Sequence, residues 1–158
     1  MSQFIASPLQ PREVGQAFPL VQLLLPGVDR RHWEQFARRF LRRSGRRGIL
    51  TVRDRWGHIR GLAIFRREID MAGPILDADP VLVVDLLDAS EVALTLIRAL
   101  ELRAREIDCV EIRMNLAEGT ERSWPMLAGT AHLETRRRLT APVRRAAANR
   151  PDGEQIPA

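Results

Sequence analysis

The chain has no tyrosine, no lysine and a single cysteine, Cys109. One thiol can form neither an internal disulfide nor a cysteine-rich metal site. Without tyrosine there is no phenol to donate a proton. Without lysine, all 25 basic residues are arginine, a side chain that never loses its charge and grips phosphate with a planar fork. Long apolar runs are also missing. The longest, around Leu23-Leu24-Leu25 and Val81-Leu82-Val83-Val84, fall far short of the roughly 20 residues that span a bilayer. The start of the chain lacks the basic, apolar and small-residue pattern of a signal peptide, so a cytoplasmic protein is expected, with no membrane partner. His32, His58 and His132 are scattered without metal-ligand spacing, and no metal is expected.

What is present suits one folded domain. The 158 residues are 45% hydrophobic, enough for one core and too few for two. Residues 1–143 read as that domain. From Arg144 the composition turns to Ala, Arg, Asn, Pro, Asp and Gly, and 144–158 reads as a disordered tail. The net charge of +5 has two readings. One is the codon composition of a GC-rich, bacterial-like genome. The other is an acidic or nucleic-acid partner.

The pattern along the chain alternates helices and strands. Phe4 and Ile5 read as an edge strand, closed by Pro8 and Pro11. Val14 to Leu25 reads as a helix, beginning or kinked at Pro19. Asp29 is a good N-cap for a second helix, where Trp33, Phe36, Ala37, Phe40 and Leu41 recur at helical spacing. Gly48–Val52 and Ile59–Ile69 form a hairpin around a turn at Asp54–His58. Asp70 to Pro80, with Gly73-Pro74 and Asp79-Pro80, reads as a loop. Val81 to Leu87 reads as a central strand, interrupted by Asp85. Asp88 or Ser90 caps a helix reaching Glu106, and Cys109 to Met114 is the next strand. These last three make a βαβ unit. After a loop, His132 to Val143 reads as a final strand.

This order of elements, from about Phe4 to Val143, resembles the GNAT (GCN5-related N-acetyltransferase) superfamily, of which the chain reads as a divergent member. Asn115 stands where the family carries an asparagine, Trp124 near the place of its tyrosine, and Leu127-Ala128-Gly129-Thr130 near its Leu-Gly-Phe. The resemblance implies an α/β fold with a mixed, mostly antiparallel central sheet flanked by helices. It implies transfer of an acetyl group from acetyl-CoA to a small-molecule or protein amine, and a homodimer through sheet edges. The coenzyme's pantetheine would pair with the backbone of Val83 to Leu87, and its pyrophosphate would sit at the turn into the helix. The cofactor-binding positions carried over are Val83, Val84, Leu86, Leu87, Ala89, Ser90 and Asn115.

The turn departs from the family. Leu86-Leu87-Asp88-Ala89-Ser90-Glu91-Val92 has neither of the usual glycines, and Asp88 and Glu91 bring negative charge to a helix start, which opposes an anion. The family's tyrosine acid is absent, and an indole N–H at Trp124 is too weak an acid to replace it. Two readings therefore stand beside acyl transfer: a non-catalytic domain binding a partner protein or acidic ligand, and a basic nucleic-acid-binding accessory protein.

Among side chains, Asp85 is the candidate general base, since a carboxylate in an apolar strand needs a partner or a task. Its plainer reading is an ion pair with an arginine. Arg38, Arg42, Trp56 and Trp124 are candidate substrate or partner contacts. The doublets Arg38-Arg39, Arg42-Arg43 and Arg46-Arg47 read either as a clamp for acidic ligands or as a solvated helix end. Cys109 reads as packing rather than as a nucleophile. Trp33 is expected in the core and Trp56 exposed at the hairpin tip.

Overall fold

In the computed structural model, residues 3–42, 45–84, 89–116, 132–135 and 138–143 are described. The chain opens with β1 (Ile5–Pro8), a 3-10 turn (Pro11–Ala17), α1 (Phe18–Leu24) and α2 (Arg30–Leu41). It continues with β2 (Arg47–Arg53), β3 (Ile59–Asp70), β4 (Gly73–Val83), α3 (Ala89–Glu106) and β5 (Glu111–Leu116). It closes with β6 (His132–Thr135) and β7 (Arg138–Pro142). The seven strands make one sheet in the order β1-β2-β3-β4-β5-β7-β6. Among the described residues, β4 and β5 run parallel and every other pair is antiparallel. This is the mixed α/β sheet flanked by helices that the sequence predicts.

Side chains alternate across the strands, so each face has its own core. On one face, α3 lays Val92, Ala93, Leu96 and Leu100 against Val52, Ala63 and Val81. On the other, Leu20 and Val21 of α1 and Trp33 and Ala37 of α2 cover Ile49, Leu62 and Leu82. Leu96 and Leu100 are wholly buried, each worth roughly 1.5–3 kcal/mol relative to exposure. The Trp33 indole N–H donates to Val14 O at 2.8 Å, which satisfies its one polar atom and ties α2 to the 3-10 turn. Asp29 caps α2 as expected, accepting from His32 N at 2.8 Å.

Four boundaries differ from the sequence reading. The central strand, Gly73–Val83, starts at Gly73 rather than Val81, so most of the predicted loop Asp70–Pro80 belongs to it; the predicted continuation over Asp85–Leu87 lies outside the described residues. Its prolines sit where the ladder tolerates them. Pro74 is the second residue of the strand, and both neighbouring strands skip Asp79 and Pro80 in their registers. The Val14–Leu25 helix is a 3-10 turn followed by α1, with Pro19 in the first α turn, where its missing N–H costs nothing. The strand after α3 starts at Glu111 rather than Cys109, because Asp108 adopts φ 57° and Cys109 N still donates to Ala104 O at 2.8 Å. The final strand is a hairpin: Leu133 pairs with Leu139 across β6 and β7. The tail 144–158 lies outside the described residues.

Candidate functional site

The described pairing of β4 with β5 ends near the end of β4. Along β5, the pairs run from Ile75↔Glu111 to Ala78↔Met114, then jump an irregularity to Val81↔Leu116, the last pair among the described residues. Along β3, pairing continues to Gly61↔Val83, and Val84 N donates to Arg60 O at 2.8 Å. Backbone groups of successive strand residues point to opposite sides. With Val84 N–H committed to β3, the N–H and C=O of Val83 face the β5 side, past the last β4–β5 pair among the described residues. The Val83 side chain is buried against α3, and Val84 packs half-buried with the α1–α2 core.

Beside this strand end lies the β2–β3 turn. Asp54 is buried there and organises it. Its Oδ1 accepts from Trp56 N and His58 N, each at 2.9 Å, and its Oδ2 accepts from Arg60 Nε at 3.0 Å. The His58 ring stands 3.4 Å from the same Oδ2 through Nδ1. Burial pushes the Asp54 carboxyl up. The His58 N–H, the Arg60 guanidinium and the Trp56 N–H together outweigh that and hold it below its ordinary value. Against the turn is a cavity of about 410 Å³ whose walls include Gln16, Leu20, His58, Ile59 and Arg60. Arg60 thus joins the cavity to the end of β4.

The structure brings some predicted residues together and separates others. Val83 and Val84 stand at the strand end. Ala89 begins α3 and Ser90 is half-buried in its first turn, with Glu91 beside it. Asn115 lies on β5 paired with Arg138; it alternates with the buried Met114 and so occupies the face opposite α3. Asp85, Leu86, Leu87 and Trp124 lie outside the described residues. Trp56 is exposed in the turn, with the Arg55 guanidinium 4.1 Å over its ring. Arg38 pairs with Glu34 at 3.6 Å on α2, and Arg42 is exposed just past that helix. The C-terminal end of α2 adjoins the start of β2, where Arg47 covers the Phe40 ring. Trp56 follows the end of β2, so Trp56 and Arg42 sit at opposite ends of that strand and cannot share one small ligand.

His58 and Arg60 were not distinguished by the sequence pattern. Their only trace is the spacing Asp54, His58, Arg60 around a glycine turn, which also fits an ordinary hairpin. Among the described residues, no three His, Cys, Asp or Glu side chains gather to hold a metal ion. No helix among them is long and apolar enough to cross a membrane.

No protein-family model matches the chain, and no curated protein matches it by sequence. Solved structures do match. The chain is similar to glucosamine-6-phosphate N-acetyltransferase from Arabidopsis thaliana, at 12% identity and TM-score 0.65, over 84% of this chain and 94% of that one. It is similar to ribosomal-protein-alanine N-acetyltransferase from Brucella melitensis biovar Abortus 2308, at 20% identity and TM-score 0.62, over 78% and 87%. It is also similar to the aminoglycoside N-acetyltransferase AAC(6')-Iy in complex with CoA, at 15% identity and TM-score 0.68, over 82% and 87%. At these identities the likeness is one of fold.

Proposed function

From the fold of the GNAT N-acetyltransferases, which this chain has, we propose that it transfers an acetyl group from acetyl-CoA to an amine. One observation carries the reading: the backbone N–H and C=O of Val83 face the β5 side, and among the described residues the last β4–β5 pair is Val81↔Leu116. An extended pantetheine arm can bond there as an added strand would. The apolar side chains of Val81, Leu82 and Val83 are buried around that edge and keep water from the arm.

The residues present fit the arm better than the diphosphate. Glu91 occupies the first turn of α3 and Asp88 precedes that helix in sequence, with no glycine between Leu86 and Val92. Negative charge at a helix N-terminus weakens its hold on an anion. When bound, acetyl-CoA supplies an acetyl group activated as a thioester. The chain's own part is to align it and to manage protons. Asp85 is proposed as the base that takes a proton from the attacking amine, directly or through a water. The chain has no tyrosine, so the proton for the departing thiolate comes from solvent. The cavity beside Arg60 offers room for the amine, with Gln16 and His58 in its wall.

A second reading, a non-catalytic domain that binds a partner protein or acidic ligand, is favoured by the missing tyrosine and missing loop glycines. Calorimetric titration with acetyl-CoA, combined with thiol release in the presence of amines, tests both. A bound ligand at 100 times its dissociation constant raises stability by about 2.7 kcal/mol, visible as a higher Tm. Acyl transfer predicts binding, thiol release and loss of turnover in Asp85→Asn. Binding without turnover favours the second reading. No heat and no Tm shift at millimolar acetyl-CoA would exclude acyl transfer, and a salt-dependent affinity for DNA or RNA would then turn attention to nucleic acid.

A further inference from the structure

We propose a second binding site, around Arg47, for a small monocarboxylate with an apolar body. Arg47 begins β2, and β2 runs in the same direction as β4, because each is antiparallel to β3. Arg47 therefore lies at the opposite end of the sheet from Val83. The site does not depend on the acyl-transfer reading.

A cavity of about 370 Å³ opens there between the β1–β2 edge and the C-terminal ends of α2 and α3. That volume is at the lower end of the roughly 300–1,000 Å³ typical of small-molecule sites. Most of the wall is apolar, with Pro8, Leu9, Leu41, Leu50, Phe65 and Leu102 contributing. Gly48 shapes it. A Cβ at Gly48 would stand 2.9 Å from Phe65 Cζ, so the bare backbone lets that ring close the wall.

Among the described residues, three charged side chains line the cavity: Arg47, Arg103 and Glu106. Two of them are already committed. Arg103 donates from Nη1 to Glu106 Oε2 at 3.0 Å and from Nη2 to Gly45 O at 3.1 Å. Arg47 is different. Its guanidinium lies over the Phe40 ring at 4.8 Å, and its Nε is buried without a hydrogen-bond partner among the described residues. A buried donor left unpaired is destabilising, so native structures rarely keep one without a reason. With Arg103 and Glu106 balancing each other, Arg47 leaves one positive charge beside an apolar chamber. A carboxylate matches the arginine fork in geometry and charge, and the walls call for an apolar body behind it. A phosphate or sulfate would meet the charge and waste the chamber.

Calorimetry with octanoate as probe tests the site, with octanol as its uncharged counterpart and inorganic sulfate as charge alone. One saturable octanoate site is expected, with octanol and sulfate weaker by about tenfold or more. Arg47→Gln should weaken octanoate by about tenfold or more, the loss of a charge-assisted bond. Leu102→Glu, at an exposed position on the wall, should weaken it as well while keeping Arg47; it decides the matter if Arg47→Gln fails to fold. Octanol binding as tightly as octanoate, sulfate binding as tightly as octanoate, or affinity unchanged in a folded variant would each overturn the proposal. Acetyl-CoA binding should be the same in both variants as in the wild type. A chain that ignores acetyl-CoA but takes octanoate would remove the acyl-transfer reading and leave this site standing.

Discussion

Gly61 lies directly beneath Val92: a Cβ added at Gly61 would stand 3.0 Å from Val92 Cγ1 and 3.4 Å from Val52 Cβ. Gly61 is also the residue that pairs with Val83 at the end of β4. The start of α3 therefore packs tightly on the sheet beside the proposed coenzyme edge. Gly61 has no left-handed φ, so what opposes a side chain there is crowding alone, and Val92 would have to give way. Gly61→Ala should cost about 1–3 kcal/mol by overpacking. Val92→Ala removes the atom in the way, so the double variant should lose less than the sum of the two singles. Urea unfolding of all four proteins measures this, and simple additivity would show that Val92 is not the obstacle.

Asp54 predicts a pH dependence. Burial raises its carboxyl, but the His58 N–H, Arg60 guanidinium and Trp56 N–H together lower it below 3.8. A folded value lower than the unfolded one stabilises the protein above the unfolded value, and the gain is lost as pH falls through the folded value. Asp54→Asn should therefore be less stable than the wild type at neutral pH. The gap should be full above 3.8 and close as the pH drops below it. Asp29 and Asp70 are also lowered, by backbone hydrogen bonds from His32 and Ala72 first, but both proteins carry them and they cancel in the difference. Melting temperatures of the pair from about pH 7 to about pH 2 check it. A gap that stays constant throughout would show that the Asp54 charge contributes nothing.

The parts of this fold that were legible in the sequence are the ones set by local pattern. Asp29, Trp33, Ala37 and Phe40 announce α2 because cap and apolar stripe lie within a few residues of one another. The hairpin of β2 and β3 is legible for the same reason. Phe36 fits the stripe yet is 44% exposed, stacked on Phe40 at 5.4 Å instead of buried in the core. Most of β4 was hidden by Pro74 and Pro80. Pro80 reads as a break until one knows that both neighbours skip it, and Pro74 until one knows that it stands second in the strand, paired with Ile69; both depend on strand pairing that local pattern does not show. The site divides likewise. Val83 and Val84 were recognisable as the end of an apolar strand. The contact of Val84 with Arg60, and the cavity between the β2–β3 turn and α1, arise only when remote segments meet.

Cys109 should be inert in the native chain. Its thiol is buried, and burial pushes it up against a smaller opposing pull from the Arg67 guanidinium. Less thiolate and less access both slow attack on a disulfide reagent. Labelling with Ellman's reagent near neutral pH should be slower in the folded protein than in denaturant, by about tenfold or more, with one equivalent released on unfolding. Rapid labelling of the native protein would contradict the packing of Cys109 between α3 and β5 and reopen it as a nucleophile.

Glu91 offers the sharpest test of how the coenzyme would be held. It sits in the first turn of α3, the end of the helix that attracts anions, and its own charge works against that attraction. A charge near a helix terminus is worth about 0.3–1 kcal/mol, which is about a two- to fivefold change in affinity. Glu91→Gln should tighten acetyl-CoA by about that factor, and the gain should shrink as salt is added. Acetyl-pantetheine carries the arm and thioester without the phosphates. Its affinity should be the same in wild type and variant, because Val83 and not the helix start would hold it. Calorimetry with both ligands on both proteins separates the two contributions. If the variant tightens neither ligand, the diphosphate does not approach α3. If it alters acetyl-pantetheine as much as acetyl-CoA, Glu91 acts on the strand edge itself, and the division between arm and diphosphate is wrong.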